Sequence, residues 1–107
     1  MMTDRELLEL AAKAAGIEVI RWQDDGSAVY RNDNGALISW HPLAPWGDGD
    51  ALRLAVKLEM RLDVGGKFSA AYPSKYDVAL EHSDNDPYAR TRLAIVRAAA
   101  QIGKEKQ

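Results

Sequence analysis

The densest gathering of chemically capable side chains lies between Trp40 and Asp50. Trp40, His41, Trp46, Asp48 and Asp50 share this stretch with Pro42, Pro45, Gly47 and Gly49. Two indoles can floor a pocket for a small ligand while an imidazole and two carboxylates supply polar contacts. A structural role competes with that reading. Large aromatics bury much area and usually sit in the core, prolines stiffen a loop, and an aspartate just ahead of a helix caps it. The segment is therefore a candidate ligand or interaction loop whose residues also have structural work open to them.

Other chemistry finds less support. His41, His82, Asp48, Asp50, Asp84 and Asp86 are ligand types suited to a metal. Asp48-Gly49-Asp50 and Asp84-Asn85-Asp86 resemble fragments of calcium loops, but neither completes the twelve-residue pattern. Each run stands just before an expected helix, where aspartates serve as caps and complement the helix dipole. No metal and no other cofactor is expected. Ser27, Ser39, Ser69, Ser74 and Ser83 lie in no nucleophile elbow. Gly65-Gly66 lacks the Lys-Ser/Thr continuation of a phosphate loop and reads as a hairpin turn. The chain contains no cysteine, which removes thiolate nucleophiles, thiolate metal sites and disulfides. No catalytic residue is assigned, and an enzyme is not expected.

Charge offers a different candidate. Residues 90–107 carry five Lys or Arg against one Glu, whereas residues 1–89 carry nine against fifteen Asp or Glu. Arg90, Arg92, Arg97 and Lys104 are thus candidate anion contacts on the last helix, and Arg53, Lys57 and Arg61 a second basic line. The overall pI of about 5.6 is low for a nucleic-acid-binding domain, and neither a helix-turn-helix nor an aromatic RNA-reading motif is evident. The same cations also suit a helix C-terminus.

These residues must be positioned by elements that the hydrophobic pattern outlines. Thr3 and Glu6 form a capping box that opens a helix running to about Ala15. Leu7, Leu8, Ala11, Ala12 and Ala15 make its apolar stripe, Glu9 and Lys13 are spaced for an ion pair, and Gly16 ends it. Ile17–Trp22, Ala28–Tyr30 and Ala36–Trp40 read as strands, separated by turns at Asp24-Asp25-Gly26 and Asn32-Asp33-Asn34-Gly35. After the Trp-rich loop, Asp48 or Asp50 caps a helix over about Ala51–Arg61, with Leu52, Ala55, Val56, Leu58 and Met60 facing inward.

A second run of strands follows at Leu62–Val64, Phe68–Tyr72 and Tyr76–Leu80, with boundaries open by several positions. Asp86 and Pro87 then start the last helix. Ile95, Val96, Ala99 and Ile102 line its inner face, and Arg90, Arg97, Gln101 and Lys104 its outer face. Ala94 and Ala98 suit either close helix contact or plain helix propensity. Residues 104–107 should fray.

The 107 residues fit one domain, and the hydrophobic share of 47% against 28% charged is that of a globular chain. The expected fold class is α+β, an antiparallel β-sheet covered by three helices in the order α-βββ-α-βββ-α, an αβα-sandwich-like arrangement. Strict alternation puts Ile17 and Val19 on one sheet face and Ile20 and Trp22 on the other, so both faces are expected to be covered.

Two stretches carry a family resemblance. One is Trp40-His41-Pro42-Leu43 leading into Asp48-Gly49-Asp50-Ala51-Leu52-Arg53-Leu54-Ala55-Val56. The other runs from Asp86-Pro87-Tyr88 through Arg90-Thr91-Arg92-Leu93-Ala94-Ile95-Val96 to Ala100. Together they resemble the phage αβα-sandwich domain, a family of small uncharacterised phage and prophage proteins. His41 departs from the asparagine that members often carry there. The resemblance implies the sandwich fold and a bacterial cytoplasm, and transfers no catalytic residue.

The function expected from these observations is that of a small phage accessory protein acting through protein contacts, with self-association as a homodimer. Nucleic-acid binding through the basic C-terminal helix is the first alternative, and a small ligand at the Trp40–Asp50 loop the second. The acidic, polar start is expected not to be a secretion signal, no membrane span is expected, and the location is expected to be cytoplasmic.

Overall fold

The computed structural model of the protein describes residues 2–64, 69–73, 79–81 and 86–105. Along them run α1 (Asp4–Ala15), β1 (Val19–Trp22), β2 (Ala28–Arg31), β3 (Leu37–Trp40), α2 (Asp48–Lys57), β4 (Arg61–Val64), β5 (Ser69–Tyr72), β6 (Ala79–Glu81) and α3 (Pro87–Glu105). The order is α-βββ-α-βββ-α and the fold class is α+β. The strands form two three-stranded antiparallel sheets, β1-β2-β3 and β4-β5-β6. The hairpin turn expected at Gly65-Gly66, residues 74–78, His82, Asp84 and the tail at 106–107 lie outside the described residues.

Local chemistry sets the ends of α1. The Thr3 hydroxyl accepts from the Glu6 backbone N–H, and the Glu6 carboxylate accepts from the Thr3 backbone N–H. Gly16 adopts φ 71°, and its N–H bonds back to the Ala12 and Lys13 carbonyls, closing the last turn. Glu9 pairs back to Arg5 at 3.5 Å and not forward to Lys13. Gly35 takes φ 83° in the turn between β2 and β3. There the Asn32 side-chain oxygen accepts from the Asn34 and Ala36 backbone N–H groups.

A β-bulge in β1 overturns the strict alternation expected of its side chains. Val19 pairs with Tyr30 but Arg21 pairs with Val29, so Ile20 is an additional residue on its strand. The extra residue flips the alternation and puts Val19 and Trp22 on the same face. Ala28, Tyr30, Ile38 and Trp40 share that face through direct pairing. It packs on the core, in which Ala28 and Trp40 are buried. On the other face Arg21, Arg31, Leu37 and Ser39 are exposed, as is the bulged Ile20, while Val29 of the central strand is buried.

Helix α2 also departs from the expected registration. It begins at Asp48 with Gly47 as its N-cap and no side-chain cap. The Asp50 carboxylate accepts from the His41 backbone N–H at 3.0 Å, so it ties down the preceding loop. The helix ends at Lys57, and Glu59 stands in the left-handed region at φ 55° while the Met60 N–H bonds to the Ala55 carbonyl. Arg61 therefore belongs to β4 and does not continue the line of Arg53 and Lys57. The buried stripe is Ala51, Leu54 and Ala55, and the expected inward residues Leu52 and Val56 are exposed.

Helix α3 is the central element. It contacts α1, α2 and all three strands of the second sheet. Ala94, Ile95, Val96, Ala98, Ala99, Ala100 and Ile102 are all buried, so it is enclosed on nearly all sides. Small side chains let its neighbours come close. At Gly103 a β-carbon would stand 1.9 Å from the Leu10 carbonyl oxygen of α1, a separation that only glycine permits. Enclosure also corrects the outer face assigned to α3, because Arg90 is buried, as is Arg92, another of the candidate anion contacts. The Asp86 carboxylate accepts from the Tyr88 backbone N–H, as expected of a cap. Among the described residues no helix is long and apolar enough to cross a membrane.

Candidate functional site

The folded chain gives the residues of the Trp40–Asp50 loop different surroundings. Trp40 is buried in the core while Trp46 is 68% exposed. The loop is wound tightly by its own backbone: the Ala44 N–H donates to the His41 carbonyl, and the Gly47 N–H donates to the Ala44 carbonyl. A β-carbon on Gly47 would meet the His41 carbonyl oxygen at 2.0 Å, so the chain closes on itself there. The His41 ring stands edge-on to Trp46 at 6.1 Å and near Gly26.

Three hollows divide the candidate residues among them. Trp40 and Asp50 border a cleft of about 450 Å³ with Tyr30, Arg53 and Lys57. His41 lies instead at a hollow beside Thr3, Trp22 and Asp25. Asp48 borders a third, between α2, β4 and α3. Trp40 and Asp50 thus share one cleft, while His41, joined to Asp50 through its backbone N–H, lines another. Among the described residues, no three His, Asp or Glu side chains are grouped to hold a metal ion; His82 and Asp84 lie outside them.

The basic residues of α3 separate in the same way. The Arg92 guanidinium lies 2.6 Å from Asp48 Oδ1, a buried cation tied to a half-exposed carboxylate. Arg90 is buried as well, and Arg97 and Lys104 alone of the four reach solvent. Arg53 is exposed and lies 3.6 Å from Asp50.

The third hollow is the most distinctive surface among the described residues. This groove, about 410 Å³ in volume, is lined by Ala51 and Leu52 of α2 and by Leu62 and Val64 of β4. Tyr88, Thr91 and Ile95 of α3 line it as well, and Asp48 and Arg92 add a carboxylate and a guanidinium to the lining. Leu62 and Val64 share one face of β4. They pair with Ala71 and Ser69 of β5, whose Ser69 hydroxyl accepts from Thr91 of α3. Leu62 and Val64 thus extend the α3-facing side of the sheet to its edge strand. Leu52 is 57% exposed, Val64 59% and Tyr88 67%.

Sequence reasoning missed this groove because α2 carries two overlapping apolar stripes. Leu52, Ala55 and Val56 form the bulkier one, whereas the fold buries Ala51, Leu54 and Ala55. A signal was present: a helix with apolar residues on more than one face has more greasy surface than one core contact can cover. Compared with known proteins, the chain matches no protein-family model, no curated protein and no solved structure.

Proposed function

We propose that this chain is a small phage or prophage accessory protein that acts through protein–protein contacts, with the groove between α2, β4 and α3 as its docking face. The observation that carries the reading is the contiguous exposure of Leu52, Val64 and Tyr88 around an apolar hollow. Clustered apolar side chains left in water mark interaction surfaces, and aromatic residues are enriched in interface cores. The motifs at residues 40–56 and 86–100 support the phage assignment, and the absence of cysteine agrees with a bacterial cytoplasm.

The test uses tagged chain expressed in infected or lysogenic host cells, compared with its Leu52→Lys and Tyr88→Ala variants. Both positions are exposed, so circular dichroism should be unchanged. Recovery of bound protein, an untagged copy of the chain included, should fall sharply in both variants. Equal recovery by wild type and variants would remove the groove from the function.

A further inference from the structure

We infer that the groove is covered by β4 of a second copy of this chain, paired antiparallel with β4 about a twofold axis at Leu62; this rests on the reading of the groove as a docking face. In the second sheet β4 pairs with β5 on one side and with no described strand on the other. An edge strand offers a row of backbone donors and acceptors for pairing. A strand added there extends the sheet over the hollow that Leu62, Val64, Leu52 and Tyr88 border.

The charge pattern of β4 singles out its own copy as the occupant. Met60-Arg61-Leu62-Asp63-Val64 is complementary to itself when read in the opposite direction. With Leu62 opposite the partner's Leu62, Arg61 faces the partner's Asp63 and Asp63 faces the partner's Arg61. Residues directly opposite in an antiparallel pair share a sheet face. Both ion pairs therefore lie on the face away from the groove, where Arg61 already lies over its cross-strand neighbour Tyr72 at 4.3 Å. Val64, which lines the groove, falls opposite the partner's Met60, an apolar residue just ahead of β4.

Neighbouring registers lose this match. Shifting the strand so that Asp63 faces the partner's Asp63, or Arg61 the partner's Arg61, sets like charges opposite each other. A one-residue slip sets Arg61 against the partner's Val64 and loses both ion pairs. The arrangement is isologous, so it closes at two copies and does not propagate as a fibre.

Sedimentation equilibrium of the full chain, with circular dichroism to verify folding, tests the pairing. The wild type should be a dimer, and Arg61→Glu or Asp63→Arg alone should each weaken it about tenfold or more. The double exchange Arg61→Glu/Asp63→Arg should restore the dimer. So should an equimolar mixture of the two single variants, because each then supplies the charge the other requires. A wild type that stays monomeric at about 100 µM, or a dimer indifferent to both reversals, would overturn the inference. If the wild type is monomeric and Leu52→Lys still abolishes recovery of a different protein, the second copy is excluded and the docking face stands. If Leu52→Lys disturbs neither dimer nor recovery, the docking face falls too.

Discussion

Arg92 of α3 and Asp48 of α2 meet at 2.6 Å in the lining of the apolar groove, although 44 positions separate them in the chain. The Arg92 side chain is 7% exposed and Asp48 is 55% exposed, so the pair is a buried cation reached by a carboxylate from the surface. It ties the first turn of α2 to the central helix, and with it the Leu52 wall of the groove.

Breaking this pair from its two ends should have unequal effects. Asp48→Ala leaves a buried guanidinium without its counter-charge and should cost about 1–3 kcal/mol. Arg92→Met removes the buried charge itself and leaves a carboxylate that water can reach, so it should cost less. In the double variant, Asp48→Ala should add almost nothing to Arg92→Met. Urea denaturation of the four proteins closes the cycle, and additive effects would show that the pair is not coupled.

Gly103 and Gly49 should respond oppositely to alanine. Alanine is ordinarily favoured over glycine inside a helix by about 1 kcal/mol, and at Gly49 a β-carbon meets nothing within 4 Å. Gly49→Ala should therefore stabilise the protein slightly. Gly103→Ala drives a β-carbon into the Leu10 carbonyl, must push α1 off α3, and should cost about 2 kcal/mol or more. Melting temperatures moving in the same direction would contradict the close approach of these helices.

The tryptophans flanking the loop should behave differently. Trp40→Ala opens a cavity in the core and should cost about 3–5 kcal/mol, while Trp46→Ala should stay within about 0.5 kcal/mol. Iodide should quench Trp46 fluorescence and leave that of Trp40 nearly untouched. Substantial quenching lost in Trp40→Phe and retained in Trp46→Phe would reverse the assignment.

Acid should destabilise the fold through two carboxylates that sit below their ordinary range. The Thr3 backbone N–H, followed by its hydroxyl, holds the Glu6 carboxyl down. The Ser27 hydroxyl at 2.6 Å, followed by its backbone N–H at 2.9 Å, does so for Asp25. Because the folded-state pKa is lowered, the unfolded chain binds more protons in this window. The stability these bonds supply is present above the ordinary carboxylate pKa and is lost as pH falls through the folded one. The melting temperature should decline across that acid range, and Asp25→Asn should flatten the decline. An equal slope in wild type and variant would exclude Asp25 as a contributor.

Much of this architecture is legible in the chain. The capping box at Thr3 and Glu6, the stop at Gly16, the turn at Asn32–Gly35 and the Asp86-Pro87 start all reflect bonds between residues a few positions apart. So local spacing is sufficient to place the helix starts of α1 and α3 and the order of elements. The α+β class follows from the same local signals, because three amphipathic helices and short β-rich runs have few ways to cover each other.

What local spacing could not reveal depended on which surfaces met. The bulge at Ile20 reversed the alternation of β1, because its register is decided by pairing with β2. Helix α2 buried Ala51, Leu54 and Ala55 and left Leu52 and Val56 in water, because two stripes were open and only packing on α3 chose between them. Arg90 and Arg92, polar by type, were drawn inside because α3 is enclosed by neighbours from distant parts of the chain. The apolar groove exists only where α2, β4 and α3 come together. Residue types set what each segment can bury; the long-range contacts determine what is left exposed, and that exposed remainder is the surface available for function.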